Sequence, residues 1–136
     1  MDSKKVSLNL VLVDPDQEFA EALVKEASGL GIHVDYYKNM LEIGYLGRFK
    51  DYDLVILNET LEKMTGLEIA EYFDKLLSNM PIVLLHPQAG EVGREGWPRS
   101  VVSFVAKEQG VTEVLSAAAR AVGKFDLSEM VEEDKI

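Results

Sequence analysis

Short, almost continuously apolar runs alternate along this chain with segments in which apolar residues recur every three or four positions. Residues 6–13 form the first run, and its length and composition predict a strand buried on both faces. Phe19, Leu23, Ala27 and Leu30 then follow at the spacing of a helix that packs one face against a core. Further strands are predicted at residues 32–37, 53–57, 82–85 and 101–106. Further helices are predicted from an Asn39 cap to about Phe49, from Leu67 to Leu77 and over residues 111–122.

Strands that are apolar on both faces and alternate with helices are typical of a parallel sheet covered on each side. We therefore predict a three-layer α/β fold whose five parallel strands have the flavodoxin-like order 2-1-3-4-5. Ligand sites in such sheets lie beyond the carboxyl ends of the strands. The candidate functional residues are those at the strand ends: Asp14, Asn58, His86 and Lys107.

The stretch between the fourth and fifth predicted strands interrupts the alternation. Residues 87–100 contain three glycines and two prolines, so the fourth helix should be short, irregular or absent. The stretch is either a loop over one edge of the sheet or a remodelled interaction surface that carries Trp97. We expect a single domain at residues 6–124, between an N-terminal tail at residues 1–5 and an acidic tail or linker stub at residues 125–136.

Charge narrows the classes of partner. The 136 residues hold 24 Asp and Glu against 14 Lys and Arg, a net charge of −10. Such an acidic protein repels phosphate backbones and anionic lipids, so we expect neither nucleic acid nor a membrane as a partner. The absence of cysteine and of any long apolar run is typical of a cytoplasmic protein. No phosphate-cradling motif or nucleophile–base constellation is present, so we expect no enzymatic activity.

Four sequence segments, taken together in this order and spacing, carry a family resemblance. They are VLVDPDQEF at the first strand end, DYDLVILN…MTGLEIA around the third, PIVLLH at the fourth and FVAK at the fifth. Gly66 stands eight residues after Asn58, and the aromatic Phe104 stands three residues before Lys107. In these features residues 6–124 resemble the CheY-like receiver domain of two-component response regulators.

The resemblance implies a phosphorylation site at the strand ends. In receivers, an aspartate after the third strand accepts the phosphoryl group, and an acidic pair after the first strand holds Mg²⁺ together with it. A hydroxyl residue after the fourth strand and a lysine after the fifth contact the phosphoryl group. The matching positions here are Asn58 for the acceptor, Asp14 and Pro15 for the acidic pair, His86 for the hydroxyl residue and Lys107 for the lysine.

These departures from the family pattern predict a degenerate phosphorylation pocket. The amide of Asn58 is not a nucleophile toward phosphorus and brings no charge to Mg²⁺. Proline has no ligand atom, and Glu108 replaces the proline that usually follows Lys107. Asp14 and Asp16 are therefore only weak metal candidates, so we expect no cofactor and weak or absent Mg²⁺ binding.

The same residues also have structural interpretations. Asp14 could cap the first helix, with Pro15 at the first helical position and Gln17 completing a capping box. Lys107 could pair with Asp14 or with the side-chain oxygen of Asn58.

Three neighbours of the strand ends have structural interpretations as well. We expect His86 to be packed or hydrogen-bonded, Glu59 to be a surface charge and Phe104 to pack at the edge of the core.

The leading functional hypothesis is an atypical receiver that acts in two-component signalling as a phosphorylation-independent protein interaction module. In the family, the fourth helix, fifth strand and fifth helix form the face that dimerises or engages outputs, so Trp97 and Phe104 are the candidate interaction residues. The partner would be a signalling kinase, an output domain, a scaffold or a second copy. The alternatives are phosphotransfer to an unconventional acceptor such as Asp16 or Glu59, and a small-ligand sensor at the strand-end crevice.

Overall fold

A parallel five-stranded sheet forms the middle layer of the protein. The computed structural model describes residues 8–61, 63–77, 80–86 and 97–125. The strands are β1 (Leu8–Val13), β2 (Ile32–Tyr37), β3 (Leu54–Asn58), β4 (Ile82–His86) and β5 (Val101–Ala106). Their order in the sheet is β2-β1-β3-β4-β5, with every neighbouring pair parallel. The predicted fold class and strand order are confirmed.

Helices cover both faces of the sheet. They are α1 (Gln17–Gly29), α2 (Met40–Ile43), α3 (Gly66–Leu76) and α4 (Val111–Phe125), and two 3₁₀ segments lie at Leu46–Asp51 and Lys107–Gln109. One core packs α1 and α4 against the sheet, and a second packs α2, the first 3₁₀ segment and α3 against its other face. The three inner strands β1, β3 and β4 supply alternate residues to the two cores, which explains their largely apolar sequences.

The first helix begins later than its capping signals suggested. Asp16, not Asp14, is the N-cap, and its side chain accepts a hydrogen bond from the backbone N–H of Phe19 at 3.1 Å. Asp14 lies directly after β1 and is still hydrogen-bonded to β2, because its backbone N–H donates to the carbonyl of Tyr37 at 3.1 Å. The prediction that Asp14 caps the helix is therefore wrong. Leu30, expected to face the core, lies just past the helix and is exposed.

The second helix is much shorter than predicted. Asn39 caps it as expected, accepting from the N–H of Glu42 at 3.1 Å, but the α-helix ends at Ile43 instead of continuing to about Phe49. Gly44 explains this end, because its φ of +98° cannot continue a right-handed helix. The chain then resumes as the 3₁₀ segment Leu46–Asp51, which buries Phe49.

Asp74 of α3 holds the residues that enter β5. Its carboxylate accepts from the backbone N–H groups of Arg99 and Ser100, both at 2.8 Å, and from the hydroxyl of Ser100. Desolvation acts to raise the pKa of Asp74, but these hydrogen bonds outweigh it and leave the pKa below its ordinary value of 3.8.

We expect Asp74→Ala to lower the free energy of unfolding by about 1–2 kcal/mol at neutral pH, because it leaves these donors without their acceptor. A carboxyl whose pKa is lower in the folded protein stabilises it above the unfolded value and loses that effect as pH falls through the folded value. Denaturant unfolding at several pH values should therefore show the difference between wild type and variant narrowing below pH 3.8. A difference that stays constant down to acid pH would contradict this assignment.

The remaining predicted segments lie outside the described residues or at their edge. These are the N-terminal tail at residues 1–5, most of the irregular stretch at residues 87–100, and all but the first residue of the acidic tail, which α4 takes in at Phe125. In the described part of the chain, no helix combines the length and the apolar character needed to cross a bilayer.

Candidate functional site

The register of the parallel strands brings the four candidate residues to one edge of the sheet. Val13 is paired with Leu57, Asn58 with Leu85, and His86 with Ala106. Asp14 and Lys107 each follow directly on a strand end, so all four side chains stand along the carboxyl edge. The sequence analysis chose these positions from the predicted strand order, and the structure confirms that order.

Asp14 is a fully buried carboxylate, and its counter-charge among the described residues is the ammonium of Lys107. Its Oδ1 accepts the backbone N–H of Asp16 at 2.9 Å, and its Oδ2 lies 2.8 Å from Nζ of Lys107. The backbone carbonyl of Asp14 accepts from the hydroxyl of Tyr36 at 2.8 Å. Desolvation raises the pKa of Asp14 above its ordinary value, and Lys107 and the Asp16 N–H offset only part of that effect.

Lys107 joins the ends of β1 and β5. Besides its contact with Asp14, its Nζ lies 3.4 Å from Oδ2 of Asp16 and 4.6 Å from the ring centroid of Phe19. Its side chain is only 13% exposed, so the ammonium is largely withdrawn from water. The N–H of Phe19 chiefly, with help from Lys107, lowers the pKa of Asp16. Of the two partners expected for Lys107, the structure has Asp14 and not Asn58.

Asn58 lies at the centre of the edge and is buried. Its amide Nδ2 donates to the backbone carbonyl of Thr60 at 2.7 Å, so the side chain folds back on its own loop. Its Oδ1 is also buried and accepts no hydrogen bond from the described part of the chain. The amide is therefore held in a fixed orientation by one strong local contact.

The loop after Asn58 is closed by Gly66, the first residue of α3. The N–H of Gly66 donates to the carbonyl of Glu59 at 2.8 Å, and Thr60 and Thr65 form an antiparallel bridge. Thr65 and Glu68 form a reciprocal capping box that starts α3. A Cβ added at Gly66 would lie 2.8 Å from the backbone oxygen of Asn58, so only glycine fits this close approach.

His86 and Glu59 form a second polar pair at this edge. His86 Nδ1 lies 2.5 Å from Oε1 of Glu59, and the His86 ring stacks on Phe104 with centroids 5.4 Å apart. Trp97 packs edge-on against Phe104, with centroids 5.3 Å apart. His86 is thus both packed and hydrogen-bonded. Glu59 is half-buried, not the surface charge expected from the sequence.

The pairing register explains what the sequence reasoning missed about Glu59. Asn58 is paired with Leu85, so the residues that follow them, Glu59 and His86, stand side by side. Once the strand order 2-1-3-4-5 had been predicted, the contact between Glu59 and His86 could therefore have been predicted as well, because the two residues stand at the ends of adjacent parallel strands.

The arrangement does not fit Mg²⁺. The ammonium of Lys107 already lies 2.8 Å from the buried oxygen of Asp14 that a cation would need, and it repels a divalent ion. Asn58 brings a neutral amide, and Asp16 caps α1. Within the described ranges, no group of three or more His, Cys, Asp or Glu residues is placed to hold a metal ion.

Several solved structures that share this fold are receiver domains. A CheY-like receiver domain from Methanospirillum hungatei JF-1 superposes with a TM-score of 0.72 and 14% identity, covering 90% of this chain and 99% of the other. The receiver domain of Francisella response regulator 1452 gives a TM-score of 0.76, with 14% identity over 88% of this chain and 99% of the other. The non-phosphorylated HemR receiver domain from Leptospira biflexa gives 0.71, with 25% identity over 85% of this chain and 94% of the other.

The chain is also similar in sequence to a curated transcriptional regulator. Over 78 residues the chain is 32% identical to the transcriptional regulatory protein CusR of Escherichia coli (strain K12), which is 57% of this chain and 34% of CusR. The matched region thus spans about a third of that relative. No protein-family model matches the sequence. The chain has the fold of the CheY-like receiver domains of response regulators.

Proposed function

We propose that this chain is a receiver-type domain of two-component signalling that acts through protein contacts, without being phosphorylated and without enzymatic activity. The observation that carries the proposal is Asn58. It occupies the position at the end of β3 where the receiver pattern places the phosphoacceptor aspartate, and its amide is buried and hydrogen-bonded to the carbonyl of Thr60. An amide nitrogen or oxygen is a poor nucleophile toward phosphorus at neutral pH.

The contacts of Lys107 support the same proposal. In receivers the lysine pairs with the phosphoryl group, whereas here the ammonium is engaged by Asp14, Asp16 and the Phe19 ring. These contacts join β1, β5 and α1 into one arrangement that needs no phosphoryl group to complete it. We infer a pocket that holds a single state, with weak or absent Mg²⁺ binding, and an interaction surface that is always presented.

The interaction surface proposed for this domain lies along β5. This strand is an edge of the sheet and is only half-buried from Val101 to Phe104. A hollow of about 260 Å³ is lined there by Trp97, Pro98 and the first residues of β5. Aromatic residues beside an edge strand are a common anchor for a protein partner. A kinase, an output domain, a scaffold or a second copy held through β5 and α4 would fit this surface.

Phosphorylation chemistry tests the proposal directly. Wild-type protein incubated with acetyl phosphate and Mg²⁺ should show no added phosphate by intact-mass spectrometry, while a phosphorylatable receiver in parallel verifies the reagents. Asn58→Asp is the matched variant, because it restores a carboxylate in the same place. A phosphate adduct on the variant alone would show that Asn58 by itself prevents phosphorylation. No adduct on either protein would show that Pro15, in place of the second Mg²⁺-binding acid, also prevents it. Both results support the proposal.

An adduct on the wild-type protein would overturn the proposal. Peptide mapping would then show whether Asp16 or Glu59 is the acceptor, as the alternative hypothesis requires. A second measurement uses beryllofluoride, a mimic of the aspartyl phosphate. Amide NMR signals of Asp14, Asn58 and Lys107 should not shift in its presence.

A further inference from the structure

An apolar groove lies between α2 and α3 and shares no lining residue with the strand-end site. Its volume is about 370 Å³. Its floor is formed by buried side chains, and its walls by exposed ones. The floor residues are Ile43, Phe49 and Ile69, and the wall residues are Tyr45, Tyr72 and Leu76. The walls are 68%, 49% and 63% exposed, respectively, so the groove opens to solvent along its length.

The early end of α2 gives the groove its shape. Gly44, with its φ of +98°, ends the helix after one turn and turns the chain so that Tyr45 stands at the rim. The Tyr45 ring lies over Gly47, where an added Cβ would be 2.9 Å from the ring carbon Cε2. The guanidinium of Arg48 donates to the backbone carbonyl of Ile43, the last residue of α2, at 3.2 Å. Gly44, Gly47 and Arg48 thus fix the loop in which the Tyr45 ring forms an exposed wall of the groove.

Exposed apolar side chains are concentrated on this side of the protein. The described part of the chain exposes five large hydrophobic residues, of which four lie on α2, on α3 or directly after α2: Leu41, Tyr45, Tyr72 and Leu76. The fifth, Leu30, follows α1 on the opposite face of the sheet. Single exposed apolar residues need no explanation, but a contiguous patch around a groove marks a binding surface.

Charge indicates what covers the patch. The groove continues at Met64 and Tyr72 into a polar hollow of about 190 Å³, which is also lined by Glu68, Glu71 and Lys75. Two carboxylates face one ammonium there, and the whole chain carries a net charge of −10. A second copy bound through the same groove would set its own Glu68 and Glu71 against these carboxylates, whereas a cationic partner would be attracted.

We propose that the groove between α2 and α3 binds an amphipathic helix of a partner protein whose apolar face is flanked by lysine or arginine. Anchors at positions i, i+3 or i+4, and i+7 of such a helix fill an apolar groove, and its basic side chains reach the carboxylates at one end. The inference rests on the proposed role in protein contacts but not on the absence of phosphotransfer. Labelling of the wild type by acetyl phosphate would therefore overturn the earlier proposal and leave this one standing.

Synthetic peptides provide the probe. Three helical peptides of about 15 residues share a length: one with leucines on one face and flanking lysines, one with each lysine replaced by glutamate, and one with a scrambled order. The lysine peptide should bind saturably and shift the amide NMR signals of Tyr45, Tyr72 and Leu76. The glutamate peptide should bind at least about tenfold more weakly, and the scrambled peptide should not bind.

Variants assign the binding to the groove. Leu76→Ala and Tyr72→Ala remove exposed wall residues and should each weaken the lysine peptide at least about fivefold. Leu30→Ala is the matched control, since Leu30 is 60% exposed and Leu76 is 63% exposed; it should leave the affinity unchanged. The proposal is overturned by no saturable binding, by equal affinity for the lysine and glutamate peptides, or by equal loss in the Leu30 variant. It is also overturned if sedimentation shows self-association that Leu76→Ala abolishes.

Discussion

Replacing Lys107 with methionine is expected to lower the free energy of unfolding by about 3 kcal/mol at neutral pH. The substitution keeps most of the length of the side chain but removes the ammonium that lies over the Phe19 ring and 2.8 Å from the buried Asp14 carboxylate. An ionised carboxylate left buried without a partner is strongly destabilising. Urea unfolding followed by circular dichroism would measure the change.

Two further variants separate the charge pair from other roles of Lys107. Asp14→Asn removes the charge that burial disfavours and keeps an oxygen for the Asp16 N–H, so it should cost less than half as much. The double variant Lys107→Met with Asp14→Asn should recover much of the loss, a coupling of about 1–3 kcal/mol. Lys25→Met, at an exposed site on α1, is the control and should be near neutral. Additive losses in the double variant would contradict the pairing.

The pH dependence of the stability lost in Lys107→Met follows from the pKa of Asp14. The pKa of Asp14 is raised above 3.8 in the folded protein, so between the unfolded and the folded pKa the native state binds more protons than the unfolded state. The contribution of Asp14 to the free energy of unfolding therefore falls as pH rises through this interval. Removal of Lys107 raises the native pKa further and widens the interval. The loss in Lys107→Met should therefore be smaller at about pH 4.5 than at about pH 7.5.

The sheet was predictable because its inner strands are buried on both faces. Runs such as Leu54–Asn58 show neither the three-to-four-residue spacing of an amphipathic helix nor the polar–apolar alternation of a half-exposed strand. The parallel register of the sheet then determines which strand ends lie side by side. The cap of α2 was likewise readable at Asn39. Its early end was not, because the apolar positions up to Phe49 keep a helical spacing and only the positive φ of Gly44 breaks it.

The grouping of the four candidate residues at one edge of the sheet was predictable, whereas the contacts between their side chains were less so. The strand order places Asp14, Asn58, His86 and Lys107 together, but it does not say which side chain the lysine selects. That choice depends on burial: Asp14 is an ionisable group enclosed by the sheet edge, and it needs a counter-charge more than the neutral amide of Asn58 does. The contact between Glu59 and His86 required knowledge of the β3–β4 register.

Replacing Gly66 with alanine is the second substitution with a large expected effect, a loss of about 2–3 kcal/mol in the free energy of unfolding. The added Cβ would lie 2.7 Å from Cδ1 of Leu84 and 2.8 Å from the backbone oxygen of Asn58. Leu84 is a fully buried core residue, and the Asn58 oxygen belongs to the backbone of β3, so neither can move away cheaply. Thermal and urea unfolding of the variant would measure the loss.

A matched glycine in the same protein tests whether sterics, not loss of glycine itself, cause the effect. Gly29 is the last residue of α1, and an added Cβ there meets no atom within 4 Å. Gly29→Ala should therefore be neutral or stabilise the protein by up to about 1 kcal/mol through helix propensity.

Leu84→Ala in the Gly66→Ala background relieves only the side-chain clash and adds a cavity, so it should not restore stability. If Gly66→Ala were as stable as Gly29→Ala, the close approach of α3 to the end of β3 would be wrong, and with it the placement of the Asn58 loop.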